Sequence, residues 1–243
     1  ATIKNEVIRL PDANREAGIF ASGYTKLVER GSVYDIYLPE FAGVDSKGKN
    51  TWNVYNADGS FKETTTVYNN AYTAESRRNQ GSAIPDLTGG FSTTLQFKGV
   101  DLSLLFSYQL GGKVYDAVYA STLQMSEYGR AIHKDLLNAW TSDNTNTTVP
   151  RFVSGYTDSN RASDLYLIDA SYLNIRNISL GYTLPKTLLS HFDIQKVRVY
   201  ASGDNLALFS KRKGLDPRQY DYGTTGFNYS PLRTISFGLN VTL

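Results

Sequence analysis

The sequence predicts an all-β fold: an antiparallel sheet with one oily and one wet face, as in the wall of a transmembrane β-barrel. Three observations predict it. Apolar and polar residues alternate along several runs, the period-two signature of strands that separate two environments. Connections between those runs are short at one end and long at the other. Of the 243 residues, 18 are Tyr, a ring suited to the boundary between hydrocarbon and water.

In chain order, "NEVIRL" and "SVYDIYLPEF" read as strands broken by Pro11 and Pro39, because proline removes a ladder donor. "FSTTLQFKG" sets Phe91, Thr93, Leu95 and Phe97 on one side and Ser92, Thr94, Gln96 and Lys98 on the other. "DLSLLFSYQL" follows with Leu102, Leu104, Phe106, Tyr108 and Leu110 against Asp101, Ser103, Leu105, Ser107 and Gln109. Only "KGVD" separates the two, which predicts a tight hairpin centred on Gly99. A connection of about sixty residues then runs from Gly111 to Ala170. Within it Ile132, Leu136, Ala139 and Trp140 recur at helical spacing, with Ser126 placed to begin a helix and "TSDNTNTT" to end it.

"SYLNIRNISLGYTLP" changes phase, from Leu173 and Ile175 to Ile178, Leu180, Tyr182 and Leu184. A bulge near Arg176–Asn177 reconciles the two halves. "PKTLLSHFDIQK" predicts one helical turn opened by Pro185. "KVRVYASGDNLALF" shifts similarly, from Val197 and Val199 to Leu206 and Leu208. About two dozen residues connect Ser210 to Arg233. The last run, "RTISFGLNVTL", places Ile235, Phe237, Leu239, Val241 and Leu243 opposite Thr234, Ser236, Gly238, Asn240 and Thr242.

Composition narrows the partners. A net charge of +2 gives no reason to expect nucleic acid, and "KRK" at 211–213 reads as a solvated loop. The absence of cysteine excludes disulfides and thiolate metal sites. No window approaches the 18 apolar residues of a membrane helix, whereas barrel strands are compatible with the mean hydropathy of −0.34. Ala1, with no signal peptide before it, is the expected start of a mature or internal portion.

Catalytic patterns are missing. His133 and His191 lack ligand spacing and read as ordinary loop or helix residues. "SEYGRAIHKD" holds Ser, acid and His without a nucleophile elbow. "GGK" at 111–113 lacks the spacing of a phosphate loop, and "VYNADGS" reads as a turn at Ala57–Gly59, since Val54 and Thr65 fail as calcium ligands. Trp52, Trp140 and the loop tyrosines read first as packing or interfacial residues and second as platforms for sugar rings. No catalytic, metal or cofactor residue is assigned, and substrate-binding residues are unknown at this level.

The stretches "IPDLTGGFSTTLQFKGVDLSLLFSYQLGGKVYDAVYASTL", "DASYLNIRNISLGYTLPKTLL", "VRVYASGDNLALFSKRKGLDP" and "SPLRTISFGLNVTL" resemble the SusC/RagA-like TonB-dependent transporters of the Bacteroidetes outer membrane. "REAGIF" and "YDIYLPEFAGVD" resemble the segment that precedes them. In that family a barrel of about twenty-two strands surrounds a plug. A SusD-like surface lipoprotein caps the barrel, and TonB–ExbB–ExbD pulls on the plug to admit a glycan or peptide. The resemblance implies that residues 1–243 are the C-terminal part of such a barrel, with about its last six to eight strands and with plug and early strands absent. It also implies outer-membrane lipid and the remaining strands of the same transporter as partners, and no enzyme activity. Family members usually end in an aromatic residue, so Leu243 predicts assembly that is retained but less efficient.

Physics points the same way. So few strands cannot close a wide barrel, and each unpaired backbone group at an open edge in lipid costs several kcal/mol. With a periplasmic C-terminus, as in the family, the long connections (about 111–170 and 210–233) fall outside the cell and Lys98–Asp101 and Pro185–Lys196 inside. The segment around Ile132–Trp140 is then expected at the lid or the substrate chamber. Two rival readings are a stand-alone small barrel and a soluble carbohydrate-binding β-sandwich, which would bury its apolar faces; a small outer-membrane hydrolase ranks third.

Overall fold

The computed structural model of the chain describes residues 6–125, 128–190, 194–212, 214–220 and 223–243. Its early strands are β1 Ile19–Phe20, β2 Lys26–Leu27, β3 Asp35–Leu38, β4 Glu40–Val44, β5 Asn50–Tyr55, β6 Phe61–Thr65 and β7 Arg78–Ser82. The later ones are β8 Leu87–Phe97, β9 Val100–Leu110, β10 Lys113–Tyr115, β11 Leu167–Asp169, β12 Tyr172–Thr183, β13 Lys196–Ser210 and β14 Thr234–Thr242. Short helices α1 Tyr68–Ala71, α2 Ala117–Thr122 and α3 Lys186–Leu189 interrupt them. The chain forms two compact units: Ala1–Ile84 with Gly112–Asp169 and Tyr220–Phe227, and Pro85–Gly111 with Ala170–Gln219 and Asn228–Leu243.

The second unit is one antiparallel sheet in the order β14-β13-β12-β9-β8. Its strands are 9 to 15 residues long, enough to span a bilayer core when tilted. β8 and β9 join through Lys98 and Gly99, whose φ values of 47° and 85° make the primed turn that matches strand twist. Pro185 is expected as the first helical residue but stands one position earlier, at the N-cap of α3 with an extended ψ of 142°; His191 lies outside the described residues.

The predicted bulge is present. β12 pairs without interruption to Ile175 and again from Asn177, so Arg176 is extra against β9 and the phase of β12 inverts there. Opposite, β13 carries two residues, Asn205 and Leu206, and Asn205 adopts a left-handed φ of 51°. The expected phase change in β13 is corrected by this register. Leu208 opposes Asn174 on the polar face, and Leu206 folds over Gly203, where a side chain would otherwise stand.

Register builds a continuous apolar face. Phe97, Val100, Tyr182, Val199 and Leu239 form one cross-strand row; Leu95, Leu102, Leu180, Ala201 and Phe237 form the next. Phe91 and Phe106 stack with centroids 4.5 Å apart. Among the described residues nothing covers this face along β14: Ile235, Phe237 and Leu239 are 64%, 82% and 60% exposed, and Leu243 just past the strand is 80% exposed. A sandwich would have buried them against a second sheet.

The first unit is held by a core of Ile36, Leu38, Tyr115, Leu123, Met125, Leu136, Val149 and Tyr166. A satellite cluster gathers Trp52, Val54, Tyr68 and Ala71. Tyrosine suits such loop-rich packing, because the ring is buried while the hydroxyl still reaches a carbonyl, as Tyr68 does with Ala162 O at 2.9 Å. "SVYDIYLPEF" supplies β3 and β4 on either side of Pro39, while Val7–Leu10 of "NEVIRL" is irregular.

The helix expected over Ile132–Trp140 is a single 3₁₀ turn, Lys134–Asn138. Tertiary pairing overrides the spacing: Trp140 N–H donates to Val149 O and His133 N–H to Thr122 O, so neither extends a helix. Ser126 lies outside the described residues. The helix of this connection is α2, capped by Asp116, whose carboxylate accepts from Tyr119 N–H at 2.9 Å.

Candidate functional site

The face opposite the apolar rows is mainly polar, with Leu105 and Leu208 as its aliphatic exceptions. Thr94, Ser103, Ser179, Ser202 and Ser236 oppose one another across all five strands and form an unbroken hydroxyl row. Thr94 and Ser103 lie 3.1 Å apart, oxygen to oxygen. Gln96, Ser107 and Gln109 share the face, as the alternation predicts, whereas Lys98 sits in the turn.

Toward the short turns, Arg198 of β13 reaches Asp101 of β9 across the intervening strand. Nε donates to Oδ1 at 2.9 Å and Nη2 to Oδ2 at 2.5 Å, the bidentate match that guanidinium and carboxylate favour. Glycine makes this crossing possible: a Cβ on Gly181 would collide with the Arg198 guanidinium. On the same face the Tyr200 ring covers Gly238, and the Arg198 guanidinium lies 4.9 Å from that ring's centroid.

Toward the long connections, the Pro217–Gln219 turn braces the bulge. Arg218 donates to both carboxylate oxygens of Asp216, at 2.8 and 2.5 Å, and to Asn205 Oδ1 at 2.9 Å. The Asp216 partner raises the Arg218 pKa further and keeps the guanidinium charged. Asn177 Nδ2 donates to Asp204 at 2.7 Å and to Ser202 at 3.2 Å, tying β12 to β13 beside the bulge.

The other sequence candidates are structural in their placement. Trp52 is 1% exposed and packs edge-on against Tyr68 at 5.1 Å. Trp140 lies against Gly48. His133 Nδ1 accepts from Asp135 N–H at 3.2 Å and so caps the 3₁₀ turn. Asp58 accepts from Ser60 in a tight turn in which Gly59 has a φ of 89°. Gly111 and Gly112, both at positive φ, end β9 and lead into β10. Among the described residues, no three His, Cys, Asp or Glu side chains group as a metal site would. Sequence reasoning missed the Arg218 brace and the Gly181 crossing; the one available signal was Asn205, a residue type that tolerates left-handed backbone.

A two-faced antiparallel wall with long connections at one end defines the class of transmembrane barrel proteins, and known proteins fall in that class. No family model matches the chain. TonB-dependent receptor P3 of Formosa agariphila is 28% identical over 98% of this chain and 25% of its own length. TonB-dependent receptor SusC of Bacteroides thetaiotaomicron is 30% identical over 65% of this chain and 15% of its own. A solved RagAB peptide transporter structure matches with a TM-score of 0.77 and 31% identity over 92% of this chain and 24% of its own. The RagAB peptide importer in its 'closed-closed' state matches with a TM-score of 0.72 and 29% identity, over 98% of this chain and 25% of its own.

The chain is thus similar to SusC/RagA-like TonB-dependent receptors over only part of their length, since it spans about a quarter of TonB-dependent receptor P3 and of the RagAB transporter chain. Those relatives are receptors and transporters, not enzymes.

Proposed function

We propose that residues 1–243 form the C-terminal wall and external loops of an outer-membrane importer for oligomeric nutrients, glycan or peptide. The supporting observation is the sheet itself: an exposed apolar face for lipid, a hydroxyl-rich face for a wet bore, and outer strands that need neighbours. The remaining strands of the same transporter supply those neighbours. The long connections, about 111–170 and 210–233, face the cell exterior, where a SusD-like lipoprotein closes over the cargo. TonB–ExbB–ExbD energises entry through a plug outside this sequence. Cargo meets the polar face and the loops, and no chemistry is done on it.

Cysteine placement tests the wall: residues 1–243 hold no cysteine, and any elsewhere in the full-length protein are first replaced by serine. In the full-length protein in native outer membrane, Phe237→Cys should react only with a lipid-soluble maleimide and Ser236→Cys with a water-soluble one. Equal labelling of both by the aqueous reagent would refute the assignment of faces. Uptake is tested separately: a deletion strain should lose growth on one oligosaccharide or peptide source and regain it with the intact gene.

A further inference from the structure

Above the bulge, the Pro217–Gln219 turn overhangs the polar face and leaves a cavity of about 540 Å³. Ser107, Tyr172, Asn174, Arg176 and Gln219 line it, with Asp204 the only acid on its wall among the described residues. Two acceptors there have no donor among the described residues: Asn174 Oδ1 and Gln219 Oε1 are both buried and unpaired. Asn174 is 1% exposed. Buried polar groups are nearly always satisfied, so two orphans on one cavity mark a place where donors arrive from outside.

The cations on the wall differ. Arg218 is committed to Asp216 and Asn205. Arg176, the bulge residue, is exposed and makes no ion pair or side-chain hydrogen bond among the described residues. Asp204 is engaged by Asn177, which limits its repulsion of an anion. Free guanidinium on one side and two amide oxygens on another are complementary to an anion flanked by hydroxyl or amide donors.

We propose that this cavity is a cargo subsite for a carboxylate with adjacent hydrogen-bond donors. Arg176 grips the carboxylate, and Asn174 and Gln219 accept from the neighbouring O–H or N–H groups. Acidic peptides and uronic-acid oligosaccharides share this chemistry. The assignment rests on the import reading, and it narrows the cargo within it.

Calorimetric titration of the full-length protein in detergent with triglutamate, trigalacturonate and neutral maltotriose tests it. One of the acidic probes should bind, which also identifies the source, and maltotriose should bind at least tenfold more weakly. Arg176→Gln and Asn174→Leu should each weaken the acidic probe at least tenfold, while Arg176→Lys restores part of the affinity. Arg176 is exposed, so its variants should keep the heat-modifiable gel shift of a folded barrel. Failure of both acidic probes, or unchanged affinity in the folded variants, would overturn the subsite. Binding without uptake would remove the import reading and leave the subsite; uptake of other cargo without binding would do the reverse.

Discussion

The guanidinium of Arg198 lies directly over Gly181 on the neighbouring strand, in the space that any other residue would fill with Cβ. Three strands are thereby clamped by one ion pair, because β9, β12 and β13 are adjacent and Asp101 lies beyond the glycine. Gly181→Val should therefore act like loss of the pair. In heat-modifiability assays of the full-length protein, Gly181→Val and Asp101→Ala should each lower the melting midpoint. The double variant should fall little further than the worse single one, since coupled residues are non-additive. Full additivity would separate the glycine from the clamp.

Charge on the two faces of β14 should have opposite consequences. Phe237→Arg places a cation in the apolar row and should cost about 2–4 kcal/mol of folding free energy in lipid vesicles. Ser236→Arg, one residue away on the hydroxyl row, should change stability far less. Urea titration of vesicle-folded protein reads both.

Asn205 adopts a left-handed backbone and is held from both sides, accepting from Arg218 at 2.9 Å and donating to Pro231 O at 2.5 Å. Asn205→Val should lose both contacts and add about 1–2 kcal/mol of backbone strain. Asn205→Gly loses the contacts without the strain and should be the milder variant. Equal destabilisation in urea would show that the side-chain bonds, not the backbone, set the bulge.

The first unit should be sensitive to alkali. Burial pushes the phenols of Tyr68, Tyr115 and Tyr166 above their ordinary value, since the charged form is desolvated. A raised folded pKa means that the stabilisation is complete below the unfolded value near 10 and declines as pH climbs past it. Absorbance at 295 nm should show exposed tyrosines titrating first and these three only with loss of near-ultraviolet dichroism. Early, fully reversible titration of all tyrosines would contradict their burial.

The wall was legible in the sequence because a strand between oil and water has one simple rule, and β8, β9 and β14 obey it with few exceptions, Thr93 and Leu105 among them. Even the inversion at Arg176 announced itself as a slip in phase. The first unit was not legible. Its contacts join segments far apart, as when Asp164 accepts from Phe41 N–H across 123 positions, and no local period records them. The mistaken helix at Ile132–Trp140 has the same origin: the spacing was helical, but the backbone donors went elsewhere. Of the polar face, the alternation gave the hydroxyl row, while the Arg198 crossing and the unpaired amide of Asn174 depend on neighbours brought in from other strands.

β8 and β14 each pair on one side only among the described residues. A copy of this sheet made apart from its flanking strands would carry two adhesive margins and could stack endlessly with its like, as fibre-forming chains do. Any setting in which it stays dispersed must therefore mask both margins.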